Sequence, residues 1–176
     1  KIVWTFGLIS GAVMAAFMVA TVPFIGDHGV SDLIVGYAGM VAAFLLVYFG
    51  IRSYRDNVLG GTISFARAFS AGILIAAIGS LCYVATWEVI YYKFAPDYLE
   101  KYREHAISKA RADGESQAAI AEKTAKLDRL AELYKNPALN AAFTFLEPLP
   151  VAAIVVLVSA GVLSRRKKSD QGVRAL

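Results

Sequence analysis

The stretch RSYRDNVLGGTISFARAF, residues 52–69, is the segment around which the chain is organised. It is polar, it holds three arginines, and its Gly60-Gly61 pair permits a tight reversal at little steric cost. Long apolar runs lie on both sides of it. The segment is therefore predicted to be a loop that joins two membrane-spanning helices, with Thr62 or Ser64 as the cap of the second helix.

The composition of the whole chain is that of an integral membrane protein. Of its 176 residues, 57% are hydrophobic and only 18% are charged, and the mean hydropathy is +0.54. A helix needs ~20 residues to cross a hydrocarbon core, and four nearly uncharged runs reach this length. The sequence thus predicts an all-α, four-helix membrane bundle, with transmembrane helices over 2–25, 33–51, 68–94 and 141–163.

Small residues recur every three or four positions in three of these runs, so that each set lies along one helix face. The sets are Gly7, Gly11 and Ala15; Gly36, Gly39 and Ala43; and Ala68, Gly72, Ala76 and Ser80. In lipid, such faces let helices approach closely and gain van der Waals contact. We therefore expect them to set the packing of the bundle.

Residues 96–135 differ in character from the apolar runs. Eight acidic and eight basic side chains balance there, and apolar residues recur at helical spacing. Pro96 is expected at the first position of one helix and Asp113-Gly114 at its end, and a second helix is expected over 116–134. The segment is predicted to be an extramembrane helical hairpin, inserted between transmembrane helices 3 and 4 of a single membrane domain.

The basic residues predict how the bundle crosses the membrane. The sequence RRKK opens the tail over 165–176, and the loop over 52–67 is also basic, whereas the link over 27–32 has no lysine or arginine. The positive-inside rule therefore predicts that both termini and the loop are cytoplasmic and that the hairpin faces outward. The RRKK cluster also suits the anionic lipids of a cytoplasmic leaflet.

Several segments together resemble one bacterial family. They are SYRDNVLGGTISFARAF, WEVIYYKF, FLEPLPV and the terminal RRKK, in the expected order over nearly the whole chain. The chain resembles the small membrane proteins of domain-of-unknown-function family 4199, although Ala66 stands where we expect glycine in that pattern. The resemblance implies a four-helix integral membrane fold and brings no activity. Together with the predicted topology, it indicates a multi-pass protein of the bacterial inner membrane.

Two carboxylates, Glu88 and Glu147, lie inside apolar runs, where an ionisable group is costly and is by default a functional hypothesis. Both are expected toward the outward ends of their helices, where they can share a polar layer that binds a proton or a cation. The other candidate members of that layer are Tyr91, Tyr92, Asp27 and His28. The alternative is that each carboxylate is hydrated at the interface or hydrogen-bonded to a tyrosine. Two prolines beside Glu147 leave backbone carbonyls that also need donors.

The organising segment offers a second candidate site, for a lipid phosphate. A glycine pair before a helix N-terminus, with arginines nearby, provides the positive charge and the N–H groups that a phosphate requires. The candidate residues are Arg52, Arg55, Gly60, Gly61 and Arg67. The simpler alternative is a turn with membrane-flanking charges.

Enzymatic chemistry has no support in the sequence. There is no nucleophile–base pattern, Cys82 is a lone cysteine, and two histidines are too few for the usual metal motifs, so neither a metal nor a cofactor is expected. The basic residues lack the aromatic-interleaved soluble face of a nucleic-acid binder. The sequence favours a non-enzymatic scaffold or accessory protein, a homo-oligomer that meets a protein partner through the hairpin. The alternative is a small channel or a proton- or cation-coupled transporter, built from several copies and using Glu88 and Glu147.

Overall fold

The computed structural model describes residues 1–21 and 30–165, and all the regular secondary structure in this part of the chain is helical. The helices are α1 (Ile2–Thr21), α2 (Val30–Asn57), α3 (Phe65–Val89), α4 (Tyr98–Ala112), α5 (Gln117–Tyr134), α6 (Pro137–Leu146) and α7 (Leu149–Leu163). A π-helical turn, Ile90–Phe94, continues α3.

Within residues 1–21 and 30–165, four helical spans are long and apolar enough to cross a membrane. They are Ile2–Thr21, Gly36–Asn57, Phe65–Phe94 and Pro137–Leu163. Helices α4 and α5 lie between the third and the fourth span and form the hairpin. The prediction of an all-α membrane bundle is therefore confirmed, and we call its two ends the loop end, which holds residues 58–64, and the hairpin end.

Helix α3 is the central element, because it packs against α1, α2, α6 and α7. The bundle interior is built mainly of aliphatic and aromatic side chains. The largest of the fully buried apolar side chains are Phe44, Val47, Ile51, Ile75 and Val156. Removal from water would give each of these side chains roughly 1.5–3 kcal/mol. Inside a bilayer, they stabilise the bundle by close van der Waals packing instead.

The small residues bring the helices together as predicted. A Cβ added at Gly7 would lie 2.7 Å from the Cβ of Ile78, and one at Gly11 would lie 2.4 Å from the Cβ of Cys82. Both partners advance along the chain together, so α1 and α3 run parallel. Gly36 is an exception to the prediction, since no atom in the described part of the chain lies within 4 Å of its added Cβ.

The organising segment differs in part from the prediction. Helix α2 continues to Asn57, six residues beyond the predicted end, so Arg52 and Arg55 lie on its last turns and not in a loop. The i,i+4 ion pair from Arg52 to Asp56 fits this helical extension. The connection to α3 is thus only 58–64, and Ser64, one of the two predicted caps, accepts a hydrogen bond from the backbone N–H of Arg67.

The last membrane span is two helices joined at Glu147 and Pro148. Asn136 caps α6 and Pro137 opens it, and the two prolines beside Glu147 interrupt the span and separate α6 from α7. The predicted start of this span at residue 141 is four residues too late, because Asn136 and Pro137 already begin it. Of the first predicted span, residues 22–25 lie outside the described part of the chain, as does the tail from residue 166.

The hairpin has its own short-range stabilisation. Ser116 caps α5 by accepting from the backbone N–H of Ala119, as expected for a helix that starts there. Helix α4 begins at Tyr98 and not at Pro96, because residues 95–98 form a turn in which the N–H of Tyr98 donates to the carbonyl of Ala95. Gly114 takes a φ of +74°, which reverses the chain between the two helices.

Candidate polar site at the α3–α6 junction

The polar groups of the membrane helices converge where α3 meets α6, at the hairpin end. On α3, Tyr83 and Trp87 are four residues apart and share one face. On α6, Asn140 and Thr144 share a face in the same way, and Glu147 follows one turn later. Because the two helices run antiparallel, Trp87 lies opposite Asn140 and Tyr83 lies opposite Glu147.

Asn140 is the centre of this junction and is completely buried. Its side-chain oxygen accepts from the indole N–H of Trp87 at 3.0 Å and from the hydroxyl of Thr144 at 3.4 Å. Its side-chain nitrogen is also buried and has no partner among the described residues. A buried polar group without a partner costs on the order of 1–3 kcal/mol, so this amide is a place where water or another donor–acceptor group would be stabilised.

Glu147 is bound at the helix break. Its carboxylate accepts from the hydroxyl of Tyr83 at 2.9 Å, which links α3 to the join between α6 and α7. The rest of the Glu147 side chain is exposed on the surface of the bundle. Along α3, Tyr83 lies ~24 Å from Arg67 and ~15 Å from Lys93 at the helical rise of ~1.5 Å per residue. The carboxylate is therefore at membrane depth and not at the end of the bundle.

Both helices depart from regular α geometry near this site. At the C-terminal end of α3, the N–H of Ala95 donates to the carbonyl of Ile90 at 2.9 Å. This five-residue step defines the π-helical turn. On the other side, Pro148 is buried and supplies no N–H to α6. Such interruptions are common at functional sites in helices, because they release backbone groups and redirect side chains.

Aromatic rings join the junction to the hairpin. Trp87 meets Tyr98 edge to face with 4.9 Å between ring centroids, and Tyr134 stacks on Phe143 at 5.8 Å. Tyr91 lies 5.8 Å from Trp87 and 6.1 Å from Tyr134. We call these five residues the aromatic clamp. Burial raises the pKa of Tyr134, and the nearby Glu147 charge adds to this, so the phenol stays neutral.

The other candidates of the polar layer lie in different places. Tyr91 belongs to the aromatic clamp. The ring of Tyr92 packs edge to face on the ring of Tyr91, and Tyr92 is 46% exposed. One carboxylate oxygen of Glu88 is buried without a hydrogen-bond partner in the described part of the chain. Glu88 is five residues after Tyr83, which turns it ~140° around α3 from the face that binds Glu147. A site shared by the two carboxylates stays a prediction, and Asp27 and His28 lie outside the described residues.

The candidate phosphate residues at the loop end differ in whether an acidic side chain already binds them. The guanidinium of Arg55 binds Asp56 at 2.7 Å, and that of Arg52 lies 3.6 Å from the same carboxylate. Gly60 and Gly61 have φ values of +69° and +92°, which side chains rarely adopt, so this pair makes the reversal. Arg67 has no ion pair with any described residue and lies in the first turn of α3.

The junction can bind protons and form hydrogen bonds, but it shows no arrangement for covalent catalysis. Among the described residues, no three His, Cys, Asp or Glu side chains are close enough to hold a metal ion. Sequence reasoning did not assign Asn140, Thr144, Trp87 and Tyr83 to a site. The signal that could have found them is the four-residue spacing of polar groups on two apolar helices that a short hairpin makes antiparallel.

Comparison with known proteins gives a family and no activity. No curated protein and no solved structure matches the chain. The model of one family, described as "Protein of unknown function (DUF4199)", matches residues 5–165. That range contains α2 to α7 in full, both candidate sites and the hairpin, and it confirms the resemblance seen in the sequence. The chain belongs to the DUF4199 family of proteins of unknown function.

Proposed function

We propose that this chain is a non-enzymatic membrane scaffold or accessory protein, which holds its α4–α5 hairpin in a fixed orientation for a protein partner. The aromatic clamp carries this proposal. It joins α4 through Tyr98 and α5 through Tyr134 to the two membrane helices on which Trp87 and Phe143 lie. A mere connection between α3 and α6 would need neither this attachment nor two helices, the second of them capped by Ser116.

The surface of the hairpin suits a binding role. Few of its residues are buried, mainly Ala110 and Ile120 where α4 meets α5. Its ion pairs leave most charged side chains open to solvent, as for Glu122, whose side chain is 68% exposed. Such a surface has charge of both signs available for complementary contact with another protein.

Assembly from several copies is supported by Glu147. Its side chain is exposed at membrane depth, and a charged side chain in contact with hydrocarbon costs at least ~2.5 kcal/mol. A second copy over this face would replace lipid by protein and give the carboxylate further partners. We place the loop end at the cytoplasmic side of a bacterial inner membrane, with the hairpin outside, because the basic residues outside the hairpin concentrate at the loop end.

The alternative function is a small channel or a proton- or cation-coupled transporter assembled from several copies. Glu147 beside a broken helix is the observation that favours it, since interrupted helices at membrane depth commonly bind transported ions. A pathway would have to run between copies, because the interior of one bundle is filled by the core side chains.

Cross-linking tests the scaffold. A photoreactive residue at position 122 of the hairpin should give one discrete protein adduct in native membranes. The matched control is the same residue at Leu45, which is 53% exposed midway along α2 and should give none. Equal adducts at both positions, or none at position 122, would argue against a hairpin partner.

Cysteine cross-linking and flux measurements separate assembly from transport. In a Cys82→Ala background, Leu146→Cys beside Glu147 should form disulfide-linked dimers, while Leu45→Cys should not. The scaffold predicts that proteoliposomes show no proton or cation flux, and that Glu147→Gln leaves assembly intact. Flux that Glu147→Gln abolishes would instead establish the transporter.

A further inference from the structure

A groove at the loop end is separate from the polar junction. It has a volume of about 390 Å³ and lies between the start of α1, the end of α2 and the first three turns of α3. Its lining is mostly apolar, and its polar groups are contributed by three side chains. The residues that matter for its chemistry are Val3, Tyr54, Arg67, Ser70 and Leu74.

Arg67 gives this groove a positive charge that no acidic side chain in the described part of the chain balances. The other two arginines of the organising segment share the carboxylate of Asp56, at 3.6 Å for Arg52 and 2.7 Å for Arg55. No described acidic side chain lies within ion-pair distance of Arg67, and the residue is exposed. A guanidinium that lines a groove without a counter-ion is complementary to an anion.

The groove also has a wall for a hydrocarbon chain. Leu74 is 54% exposed and lies two turns further into the apolar part of α3 than Arg67. Val3 on α1 faces the same space. The positive group is thus at the end of the apolar span, where lipid headgroups lie, and the apolar wall continues from it into the membrane.

We propose that this groove binds an anionic phospholipid, with its headgroup phosphate on the Arg67 guanidinium and one acyl chain along Leu74 and Val3. The hydroxyls of Tyr54 and Ser70 line the same groove and can donate to phosphate oxygens. Arginine is suited to this role because its planar fork of N–H groups matches two phosphate oxygens at once. A free phosphate would use the arginine but gain nothing from the apolar wall.

Lipid titration of the purified full chain in a mild detergent, read by native mass spectrometry, tests the proposal. Phosphatidylglycerol should bind more tightly than phosphatidylcholine, and Arg67→Gln should weaken phosphatidylglycerol binding about fivefold, the effect of one basic residue at an anionic surface. Arg52→Gln is the matched control and should change it less than twofold, since Arg52 shares Asp56 with Arg55. Tyr54→Phe, which keeps the ring, should weaken binding by a smaller factor than Arg67→Gln.

Three outcomes would overturn the proposal. The first is equal phosphatidylglycerol affinity in the parent and in Arg67→Gln. The second is an equal loss in Arg52→Gln, which would mean a diffuse surface charge instead of a site. The third is displacement of the lipid by inorganic phosphate at millimolar concentration, which would assign Arg67 to a free anion. Unchanged melting temperatures of the variants in lipid-free detergent show that a loss of binding is not a loss of fold.

Discussion

Helix α3 is held on two sides by different physical means. Against α1 it has a close contact made by glycines, where Gly7 and Gly11 meet Ile78 and Cys82. Against α6 and the helix break that follows it, α3 has side-chain hydrogen bonds, from Trp87 to Asn140 and from Tyr83 to Glu147. The first contact has little tolerance for added volume, and the second depends on matched donors and acceptors. The comparison teaches that one membrane helix can be positioned by close packing of small residues along one face and by hydrogen bonds along another. We call these the contact of shape and the contact of chemistry.

The contrast follows from the solvent around the bundle. Between lipid and apolar side chains there is no hydrophobic driving force, so α1 is held to α3 by close van der Waals contact. At the hairpin end, a polar group that lost its partner would be left in a medium that offers no replacement. Both faces are therefore sensitive to substitution, but each to a different kind of change.

The largest effect is expected from breaking the contact of shape. Gly11→Leu would place a side chain where even the Cβ lies 2.4 Å from that of Cys82, and would force α1 away from α3. Overpacking of this kind costs ~3 kcal/mol or more. Equilibrium unfolding in mixed micelles should show this loss.

Gly161 provides the matched control for this substitution. It lies inside α7, yet an added Cβ would meet no atom of the described residues within 4 Å. Gly161→Leu should thus change the free energy of unfolding by less than ~0.5 kcal/mol, the usual range for a substitution without such contacts. Similar losses at both positions would remove the argument that the glycine face sets the packing.

Much of the first contact could be predicted from the sequence, and the reason is its periodicity. Glycine and alanine at four-residue spacing indicate a close-packing face, and the structure places α1 and α3 together along it. The helix ends were less predictable where polar residues continue a helix, as Arg52 and Arg55 do on α2. Composition alone cannot tell a polar last turn from a loop, since both are exposed.

The second contact could be predicted only in part. Glu147 stands out because it is charged within an apolar run, and hydrogen bonding to a tyrosine belongs to the alternative to a proton or cation site that the sequence leaves open for it. Asn140 is uncharged and follows a helix cap, so it has the appearance of an interfacial residue until α3 is placed beside it. The partner of a buried amide is a property of the three-dimensional arrangement, and a single sequence does not contain it.

A smaller effect is expected from breaking the contact of chemistry. Asn140→Leu removes the acceptor for Trp87 and Thr144 and leaves a partly buried indole N–H unpaired, at a cost of ~1.5 kcal/mol. Part of that loss should disappear when Trp87→Phe is also present. Double-mutant cycles of the two substitutions in detergent should give a coupling free energy of ~0.6–1.7 kcal/mol. Additive losses would mean that the two side chains act independently.

A still smaller effect is expected at the edge of the same junction. Tyr83→Phe removes only the hydroxyl that donates to Glu147 and leaves the hydrogen bonds of Asn140 in place. The loss of unfolding free energy should be ~0.6 kcal/mol, the average for interhelical hydrogen bonds in membranes. In Glu147→Gln, the same tyrosine substitution should cost less, because a hydrogen bond to a charged acceptor is stronger than one to an amide. An equal cost in both backgrounds would show that the pair contributes nothing specific.

The smallest effect is expected in the hairpin, which lies outside both contacts. Arg103 on α4 binds Asp128 on α5 at 2.6 Å, with the two side chains 38% and 54% exposed. Exposed pairs of this kind contribute ~0.2–1 kcal/mol, and salt screens them. Arg103→Gln should therefore speed hydrogen exchange of the α4 and α5 amides by a factor of about two at low salt, and the difference should shrink near 1 M salt. Arg111→Gln is the control, because Arg111 makes no ion pair with a described residue, and it should change little at any salt concentration. If both variants exchange alike, the Arg103–Asp128 pair adds nothing to the hairpin, which is then held by the Ser116 cap and by the aromatic clamp. Ring packing and a hydrogen-bonded cap would then hold the hairpin, as close packing and hydrogen bonds hold the two faces of α3.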